Sequence, residues 1–487
     1  MPAPFAFDNT FAAQMDGFFL PAQAAPFPEP KLALLNESLA QSLGLDTQQL
    51  LDEGAGIFSG QSLPEGATPL AQFYAGHQFG GFSPQLGDGR ALLLGEFLDP
   101  AGQRYDLQLK GSGPTEFSRG GDGKASLGPM LREYVISEGM HALGIPTTRS
   151  LAVVSTGEPV YREEPLPGAV LARIAASHLR VGTFAFFASR QDIAATRKLT
   201  DYTIARHYPH LAKTPNPAVG LLNAVVDAQA ELIAQWMMVG FIHGVMNTDN
   251  VSLCGETIDY GPCAFMDRYD PRTVYSSIDR QGRYAYGNQP GIGQWNLARF
   301  AETLLPLLDD DDDTAMNHAT EALRAFGLRY DAAWTRGMRA KLGIVEAQDD
   351  DDVLAKDLLE ILEAQKLDYT STMRSLSSVA RRESPHAGLA GADAFEGWSA
   401  RWLARLEGEP GGRTAAAERM DAVNPVYIPR NHLVETALDA AVAGDLGPVR
   451  DLLEAITHPF QARDGFGRYA EPAPETFDDG YKTFCGT

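Results

Sequence analysis

Residues 241–262 contain the side chains best suited to do chemistry. A polar loop presents Asn247, Asp249 and Asn250 after an apolar helical stretch, and Asp259 follows a short turn. A hard divalent cation takes oxygen ligands from such a loop, and a carboxylate that stays off the metal can accept a proton from an attacking hydroxyl. The alternative is an Asn/Asp-rich turn that only caps two elements, because such turns are common.

Two glycine-rich segments lie far upstream of this loop. In the first, Gly87 and Gly89 would let backbone N–H groups approach a phosphate, and Arg90 would add positive charge. Asp-Gly before alternating hydrophobic residues also indicates a hairpin that needs no ligand. The second segment, residues 118–124, opens a helix. Both segments are candidates for phosphate binding, and neither is specific by itself.

A lysine and a glutamate form a possible pair between these segments and the polar loop. The strand-like run 105–110 ends on Lys110, with its leucines on one face. Glu133 follows inside a helix that begins at about Ser126. Such a glutamate can hold a strand lysine on a nucleotide phosphate. Two solvated surface residues are the alternative, since most Lys and Glu are exposed.

Two arginines follow on the last predicted strand and just after it. Arg173 lies in the otherwise apolar run 168–174, and Arg180 comes shortly afterwards. A charged residue in a buried strand requires an anionic partner. That partner is either a structural carboxylate or a phosphate, and both remain open at this point.

Strands dominate the first part of the chain and helices the second. Short apolar or alternating runs bounded by turns predict strands over 91–97, 105–110, 148–154 and 168–174. Helical spacing predicts helices over 31–43, 217–240, 294–308, 314–326, 331–341, 353–366 and 431–443. A chain of 487 residues exceeds a single core, so two lobes are expected. The pattern as a whole predicts an α+β fold.

Composition narrows the possible partners. The net charge is −23, with 63 acidic against 40 basic residues, which argues against binding to nucleic acid or to an anionic membrane. Three cysteines form neither a disulfide scaffold nor a zinc motif. No secretory signal and no apolar run of membrane-spanning length are found. We therefore expect a cytoplasmic protein.

The order of these features is that of a protein kinase, in which a glycine loop, a Lys–Glu pair, and a loop with metal-binding Asn and Asp follow one another. The kinase loop H-R-D-x-x-x-x-N carries its base two residues after the histidine. Here that position, counted from His243, is Val245. Either the chain is an inactive kinase, or it runs different chemistry with Asp249.

Long motifs spread over the chain support the second possibility. They are Tyr74-Ala-Gly-His-Gln-Phe-Gly, Pro84-Gln-Leu-Gly-Asp-Gly-Arg, Leu107-Gln-Leu-Lys-Gly-Ser-Gly, Ser118-Arg-Gly-Gly-Asp-Gly-Lys, His243-Gly-Val-Met-Asn-Thr-Asp-Asn and Asp259-Tyr-Gly-Pro. With these motifs the chain closely resembles the selenoprotein O (YdiU-like) family of kinase-like protein adenylyltransferases. The likeness covers nearly the entire sequence.

The resemblance implies a protein-kinase-like bilobal fold. A small β-rich N-lobe is expected over residues 61–184 and a larger helical C-lobe over 185–420. Residues 1–60 and 421–487 would be terminal extensions.

The resemblance also implies transfer of AMP from ATP to a Ser, Thr or Tyr hydroxyl of a protein, with release of pyrophosphate. ATP would lie flipped relative to kinases, so that its α-phosphate faces the acceptor. An ordinary phosphotransferase and a non-catalytic ATP-binding pseudokinase are the alternatives. By motif, the residues implied to contact ATP are Gly87, Gly89, Arg90, Lys110, Asp122, Gly123, Arg173, Arg180 and Asp259.

The remaining roles carried over by motif concern the metal and the proton. Glu133 would hold Lys110. Asn250 and Asp259 would bind Mg²⁺ or Mn²⁺, and Asp249 would be the proton acceptor.

One departure from the family concerns the cysteines. Members often pair a cysteine downstream of Asp-Tyr-Gly with the terminal cysteine, which gives redox control. That upstream position falls at about Tyr275 here, so Cys485 is expected to lack this partner. Cys263 is a substitute candidate, but we expect three reduced thiols in a cytoplasm.

Overall fold

A computed structural model describes residues 4–383, 393–478 and 480–484. Its strands are β1 Phe19–Pro21, β2 Lys31–Leu35, β3 Leu70–Gln72, β4 Gly76–Gln78, β5 Gly81–Ser83, β6 Ala91–Leu98, β7 Arg104–Lys110, β8 Ala125–Ser126, β9 Arg149–Tyr161, β10 Pro165–Ala175, β11 Phe241–Ile242 and β12 Ala264–Phe265.

The α-helices are α1 Thr10–Gln14, α2 Glu37–Ser42, α3 Thr47–Phe58, α4 Leu127–Ala142, α5 Val181–Ala188, α6 Ile193–His207, α7 Pro217–Met238, α8 Gln289–Leu308, α9 Asp312–Lys341, α10 Asp351–Gln365, α11 Tyr369–Ala380, α12 Asp393–Glu407, α13 Gly412–Asp421, α14 Asn431–Val442, α15 Gly447–Ile456 and α16 Glu475–Asp478. About 48% of the chain is helix and 16% strand, with the sheet N-terminal and the helices mostly C-terminal, which confirms the α+β class.

An eight-stranded antiparallel sheet forms the N-terminal part. Its order is β1-β3-β6-β7-β10-β9-β2, and β8 pairs with β10. β7 and β10 are therefore neighbours near the middle of the sheet. The first 60 residues contribute β1 and β2 to this same sheet.

The two faces of the sheet carry different layers. On one face, Leu107 and Leu109 of β7 pack with Leu50 and Phe58 of α3 in a buried apolar cluster. On the other face, Leu171 of β10 belongs to the larger cluster that also includes residues of α4, α5, α7 and α8. This alternation agrees with the prediction that the leucines of β7 share one face.

The helix predicted over residues 31–43 is wrong for its first half. Residues 31–35 form β2, which pairs with β9, and only α2 is helical. Asn36 separates the two, because its side chain accepts the N–H of Leu39 at 3.1 Å as an N-cap. Pairing with a buried strand overrides the helix preference of leucine and alanine here.

The break predicted between 314–326 and 331–341 is also wrong, since α9 runs through it without interruption. Arg329 and Arg336 on α9 form ion pairs with Asp227 and Glu231 of α7. Arg329 lies within the predicted break and Arg336 lies beyond it. Contacts with α7 therefore stabilise a continuous helix despite Gly327. Among the described residues, no helix combines the length and apolar character needed to cross a bilayer.

A second core joins the C-terminal helices, and it contains a buried lysine. Lys341 is only 3% exposed, and its Nζ lies 5.6 Å from the ring centre of Tyr369. Burial lowers the pKa of Lys341 from 10.5 to about 7. The unfolded chain therefore binds more protons between these two pH values, and stability rises with pH across that window.

We expect Lys341→Met to raise the free energy of unfolding at pH 7, because it removes a charge from an apolar site. It should also flatten the rise in stability between pH 7 and pH 9. Denaturant titrations at both pH values measure the effect. The control Lys356→Met, at an exposed position on α10, should change neither the free energy of unfolding at pH 7 nor its rise toward pH 9. A lower free energy of unfolding for Lys341→Met than for the wild type at pH 7 would contradict the interpretation.

Candidate active site

Strand pairing brings three polar side chains to one face of the sheet. In the β7–β10 pair, Lys110 lies opposite Leu171 and Gln108 lies opposite Arg173. Side chains opposite each other in an antiparallel pair share a face. Gln108, Lys110 and Arg173 therefore point toward α4, which contributes Glu133.

These side chains meet Asp259 in a buried ion cluster. Lys110 Nζ donates to Glu133 at 2.5 Å and to Asp259 Oδ1 at 2.7 Å. Arg173 donates to Glu133 at 3.1 Å and to Asp259 Oδ1 at 2.7 Å. Arg180 donates to Asp259 Oδ2 at 3.0 Å. Three cations thus surround one carboxylate, and residues far apart in sequence converge on it.

The backbone of Asp259 adopts a left-handed conformation, with φ +64°. Aspartate tolerates this region better than most residues. Burial alone would raise the pKa of Asp259, but Lys110, Arg173 and Arg180 outweigh it and hold the pKa well below its usual range. Asp259 therefore remains ionised at neutral pH.

The two arginines of the cluster retain unused donors. The Nε atoms of Arg173 and Arg180 are buried and have no hydrogen-bond partner among the described residues. Buried donors without partners are rare in native proteins. Both side chains are almost fully buried, with 2% and 4% exposed. An anion bound at the cluster would supply the acceptors that they lack.

Asp249 lies beside the cluster on the one-turn 3₁₀ helix Thr248–Asn250. Arg180 donates to its carbonyl oxygen at 2.9 Å, which ties this turn to the cluster. Asp249 is 8% exposed, and its Oδ1 is buried without a partner among the described residues. Burial raises the pKa of Asp249 to about 6. A base works best when its pKa lies near the operating pH, so this carboxylate is suited to accept a proton.

Asn250 and Asp259 are the residues that could hold a metal. Asn250 Nδ2 donates to the Val245 carbonyl at 2.9 Å, which orients the side chain and leaves its Oδ1 as an acceptor. Carboxylate and amide oxygens suit Mg²⁺, which keeps water and phosphate as further ligands. In the part of the chain that the structure describes, no group of three or more His, Cys, Asp or Glu side chains could hold a metal. A metal held by these two residues would need its remaining ligands from a nucleotide or from water.

The first glycine-rich segment folds back on itself. The N–H of Gly87 donates to the Tyr74 carbonyl at 3.1 Å, and that of Gly89 donates to the Gly87 carbonyl at 2.8 Å. A Cβ on Gly87 would lie 2.3 Å from the Phe117 ring, and one on Gly89 would lie 2.7 Å from the Phe117 carbonyl. Close approach of Phe117 is thus the visible reason for both glycines.

Other residues implied to contact ATP lie apart from the ion cluster. Asp122 accepts two hydrogen bonds from Arg162, at 2.9 and 3.1 Å. Gly123 follows with φ +62°, where a Cβ would collide with the Gly113 carbonyl at 2.2 Å. Arg90 is half-buried, and its carbonyl accepts the N–H of Gly111 at 2.7 Å. Among the described residues, no hydrogen bond or ion pair joins these three to Lys110, Arg173 or Arg180, although Gly111 directly follows Lys110.

The β4–β5 hairpin contributes a residue that sequence reasoning missed. Gln78 Nε2 donates to Asp249 Oδ2 at 3.3 Å. The N–H of His77 donates to Thr248 Oγ1 at 2.7 Å. A Cβ on Gly76 would lie 2.2 Å from Asp249 Oδ1, so only glycine fits there. The motif around Gly76 supported the family resemblance, but its spacing alone gave no sign of this long-range contact.

Gln78→Leu is expected to lower turnover by roughly two- to tenfold, since one hydrogen bond contributes about 0.5–1.5 kcal/mol. ATP affinity should stay unchanged, because Gln78 touches no cation of the cluster. Steady-state kinetics and calorimetric ATP titration separate the two effects. Gln78→Glu offers a matched comparison that places a second carboxylate beside Asp249. Equal losses of turnover and ATP affinity would contradict a positioning role.

Comparison with known proteins identifies the family. The family model described as "Protein adenylyltransferase SelO" matches residues 4–457, a range that contains the whole ion cluster and the hairpin. The chain belongs to the SelO family. The resemblance inferred from the motifs is thereby confirmed.

Relatives of the chain carry related names. "Protein nucleotidyltransferase YdiU" of Cereibacter sphaeroides is 60% identical over 485 residues, which cover 99% of this chain and 100% of the relative. The protein of the same name from Rhizobium etli is 55% identical over 490 residues, covering 100% of this chain and 98% of the relative. The similarity therefore extends over full lengths.

The expectation that Cys485 lacks a cysteine partner and that the thiols are reduced remains a prediction. Cys485 lies outside the described residues. Cys263 is buried. The tail reaches the expected partner position, since the N–H of Thr483 donates to the Tyr275 carbonyl at 2.8 Å.

Proposed function

We propose that the protein transfers AMP from ATP to hydroxyl groups of other proteins, as its membership of the SelO family of protein adenylyltransferases indicates. One structural observation supports this proposal in addition to the name of the family. A cluster of three buried cations adjoins Asp249, whose Oδ1 has no partner among the described residues. Val245 occupies the place of the kinase base, so Asp249 supplies the carboxylate that kinases place elsewhere.

The cluster suits a buried polyphosphate. Lys110, Arg173 and Arg180 would turn from Asp259 to the β- and γ-phosphates, whose charge exceeds that of one carboxylate. The unused Nε donors of Arg173 and Arg180 favour this exchange. Glu133 keeps Lys110 in place throughout. With the inner phosphates held there, the α-phosphate faces Asp249, which is the flipped orientation.

In the chemical step one P–O bond forms, one P–O bond breaks, and one proton is transferred. The acceptor oxygen attacks the α-phosphorus, and the bond from that phosphorus to the bridging oxygen breaks. Pyrophosphate leaves with both electrons of that bond. The proton of the acceptor hydroxyl passes to Asp249 Oδ1, which the geometry leaves without another donor.

We further propose that Asn250 and Asp259 hold Mg²⁺ or Mn²⁺. Such an ion neutralises phosphate charge during the transfer. Release of Asp259 from the cations by the nucleotide would free its oxygens for the metal. Ser, Thr and Tyr of proteins are the proposed acceptors. The acidic net charge disfavours nucleic acid and anionic membranes as partners, and the proposed location is the cytoplasm.

The kinase-like division of the chain belongs to the same proposal. An N-lobe over 61–184 would carry Lys110, Glu133 and most of the sheet, to which residues 1–60 add β1 and β2. A C-lobe over 185–420 would carry the polar loop. The order of the elements supports this division, with 1–60 and 421–487 as extensions.

Product analysis distinguishes this function from its alternatives. The protein is incubated with ATP, Mg²⁺ or Mn²⁺, and a mixture of acceptor proteins, and the released products are separated. Adenylyl transfer yields pyrophosphate without ADP. Release of ADP with phosphorylated protein would indicate a kinase, and unchanged ATP despite tight binding would indicate a non-catalytic ATP-binding protein.

A further inference from the structure

The β4–β5 hairpin exposes two aromatic rings. Phe79 is 38% exposed and Phe82 is 42% exposed. Large apolar side chains at this level of exposure, close together and beside a functional site, are typical of interaction surfaces. Trp295 joins them through His77, whose ring lies 4.8 Å from Phe82 and 5.5 Å from Trp295.

Arginines border these rings. The guanidinium of Arg283 lies 4.8 Å from the Trp295 ring centre, and that of Arg299 lies 5.1 Å from it. Arg299 pairs with Glu302 at 2.5 Å. Among the described residues, the Arg283 side chain has no carboxylate partner, and its Nε is buried without a hydrogen bond. The Arg283 guanidinium thus forms no ion pair among the described residues, although the Asp279 carboxylate accepts the backbone N–H of Arg283, and the net charge of the chain is −23. We call Phe79, Phe82, Arg283 and Trp295 the aromatic–arginine surface.

The hairpin that carries Phe79 and Phe82 also contacts the loop of Asp249. The hairpin contacts the polar loop through Gln78, through the His77 N–H, and through the Phe79 N–H, which donates to Asn247 Oδ1 at 3.1 Å. Of the proposed phosphate-binding cations, Arg180 donates a hydrogen bond to the backbone carbonyl of Asp249 and does not contact it through the hairpin. An acceptor hydroxyl at Asp249 Oδ1 would lie beside the hairpin, because a Cβ on Gly76 would come within 2.2 Å of that oxygen.

We propose that the aromatic–arginine surface docks the segment of the acceptor protein that carries the hydroxyl, and that this segment is acidic with a neighbouring apolar residue. Arg283 would pair with an acidic side chain, and the exposed rings would cover the apolar one. The inference rests on the proposed adenylyl transfer and names the kind of acceptor that it uses.

Two peptides of equal length test the proposal. Each contains Ser, Thr and Tyr beside one Phe, and they differ only in carrying Asp or Lys at the flanking positions. The wild type should modify the acidic peptide about tenfold more efficiently or better, since like charges meeting at an interface are unfavourable by several kcal/mol. Modification is followed by mass spectrometry at saturating ATP, and kcat and KM are determined separately.

Arg283→Glu should remove or reverse this preference, mainly by raising KM for the acidic peptide. The double variant Phe79→Ser/Phe82→Ser should raise KM for both peptides. ATP affinity should stay the same in all variants. Arg324→Glu is the matched control, because it makes the same charge change at an exposed position on α9 and should leave the preference intact.

The outcomes distinguish a failure of the docking surface from a failure of the proposed adenylyl transfer. Modified peptides without a charge preference, or a preference that survives Arg283→Glu, would overturn the docking surface while leaving adenylyl transfer in place. Loss of ATP affinity in the Arg283 or phenylalanine variants would assign the surface to the nucleotide instead. Absence of AMP on every peptide and on any protein, with ATP bound, would overturn the proposed function itself.

Discussion

Replacing Asp249 by asparagine is expected to lower the rate of adenylyl transfer by roughly 100- to 10,000-fold, the usual effect of losing a general base. Asparagine keeps the size of the side chain but cannot take up the proton of the acceptor hydroxyl. ATP affinity should remain largely intact, because the cations of the cluster contact Asp259 rather than the Asp249 carboxylate. Single-turnover rates and calorimetric ATP titrations measure the two quantities.

A second buried carboxyl provides the control for this variant. Burial raises the pKa of Asp88 to about 6, as it does for Asp249. Asp88 accepts the backbone N–H of Gln72 at 3.0 Å and lies in the first glycine-rich segment. Asp88→Asn should therefore reduce turnover much less than Asp249→Asn. If Asp249→Asn instead abolished nucleotide binding, Asp249 would be a metal ligand rather than a base.

Removing either arginine of the cluster is expected to weaken ATP binding about tenfold or more, since a hydrogen bond to a charged group contributes about 1.5–3 kcal/mol. The proposed orientation places Arg173 and Arg180 on the inner phosphates. Arg180→Ala and Arg173→Ala should therefore affect ADP less than ATP, and AMP hardly at all. Calorimetric titration of the three nucleotides against each variant provides the measurement.

The control for this series is another buried arginine. Arg206 pairs with Glu96 and Asp106, and neither carboxylate belongs to the ion cluster. Arg206→Ala should reduce stability without changing the ratio of ATP to AMP affinity. An equal drop in AMP and ATP affinity in the Arg173 and Arg180 variants would show that the flipped orientation is wrong.

Much of the architecture is predictable from local patterns. The apolar runs along β6 and β10 reflect strands that are buried on both faces, and the apolar spacing along α7 reflects a buried helix. Errors arise where tertiary contacts override local preference. Residues 31–35 pair with β9 instead of continuing a helix, and α9 passes through Gly327 because its arginines contact α7.

The ion cluster was only partly accessible to sequence reasoning. An arginine in an apolar strand demands an anion, so a partner for Arg173 could be anticipated. The identity of that partner could not, because Glu133 and Asp259 lie far from Arg173 along the chain. The structure brings both of them to it, and the phosphate that we propose as their competitor stays a prediction.

The contact between Gln78 and Asp249 shows more clearly what could not be predicted from the sequence. A glutamine beside glycines and aromatic residues has no local pattern that indicates which side chain it meets. Its hydrogen bond to Asp249 joins residues 171 positions apart. Only the fold of the hairpin against the polar loop reveals that contact, and the same holds for the surface around Arg283.

The central claim is tested most directly with ATP that is radioactively labelled either at the α-phosphate or at the γ-phosphate. Each preparation is incubated with the protein, a divalent metal and acceptor proteins, and the acceptors are then isolated under denaturing conditions. Adenylyl transfer predicts that the α-label stays on protein, that no γ-label does, and that Asp249→Asn loses the signal. Retention of the γ-label without the α-label would contradict the account and assign the chain to the protein kinases.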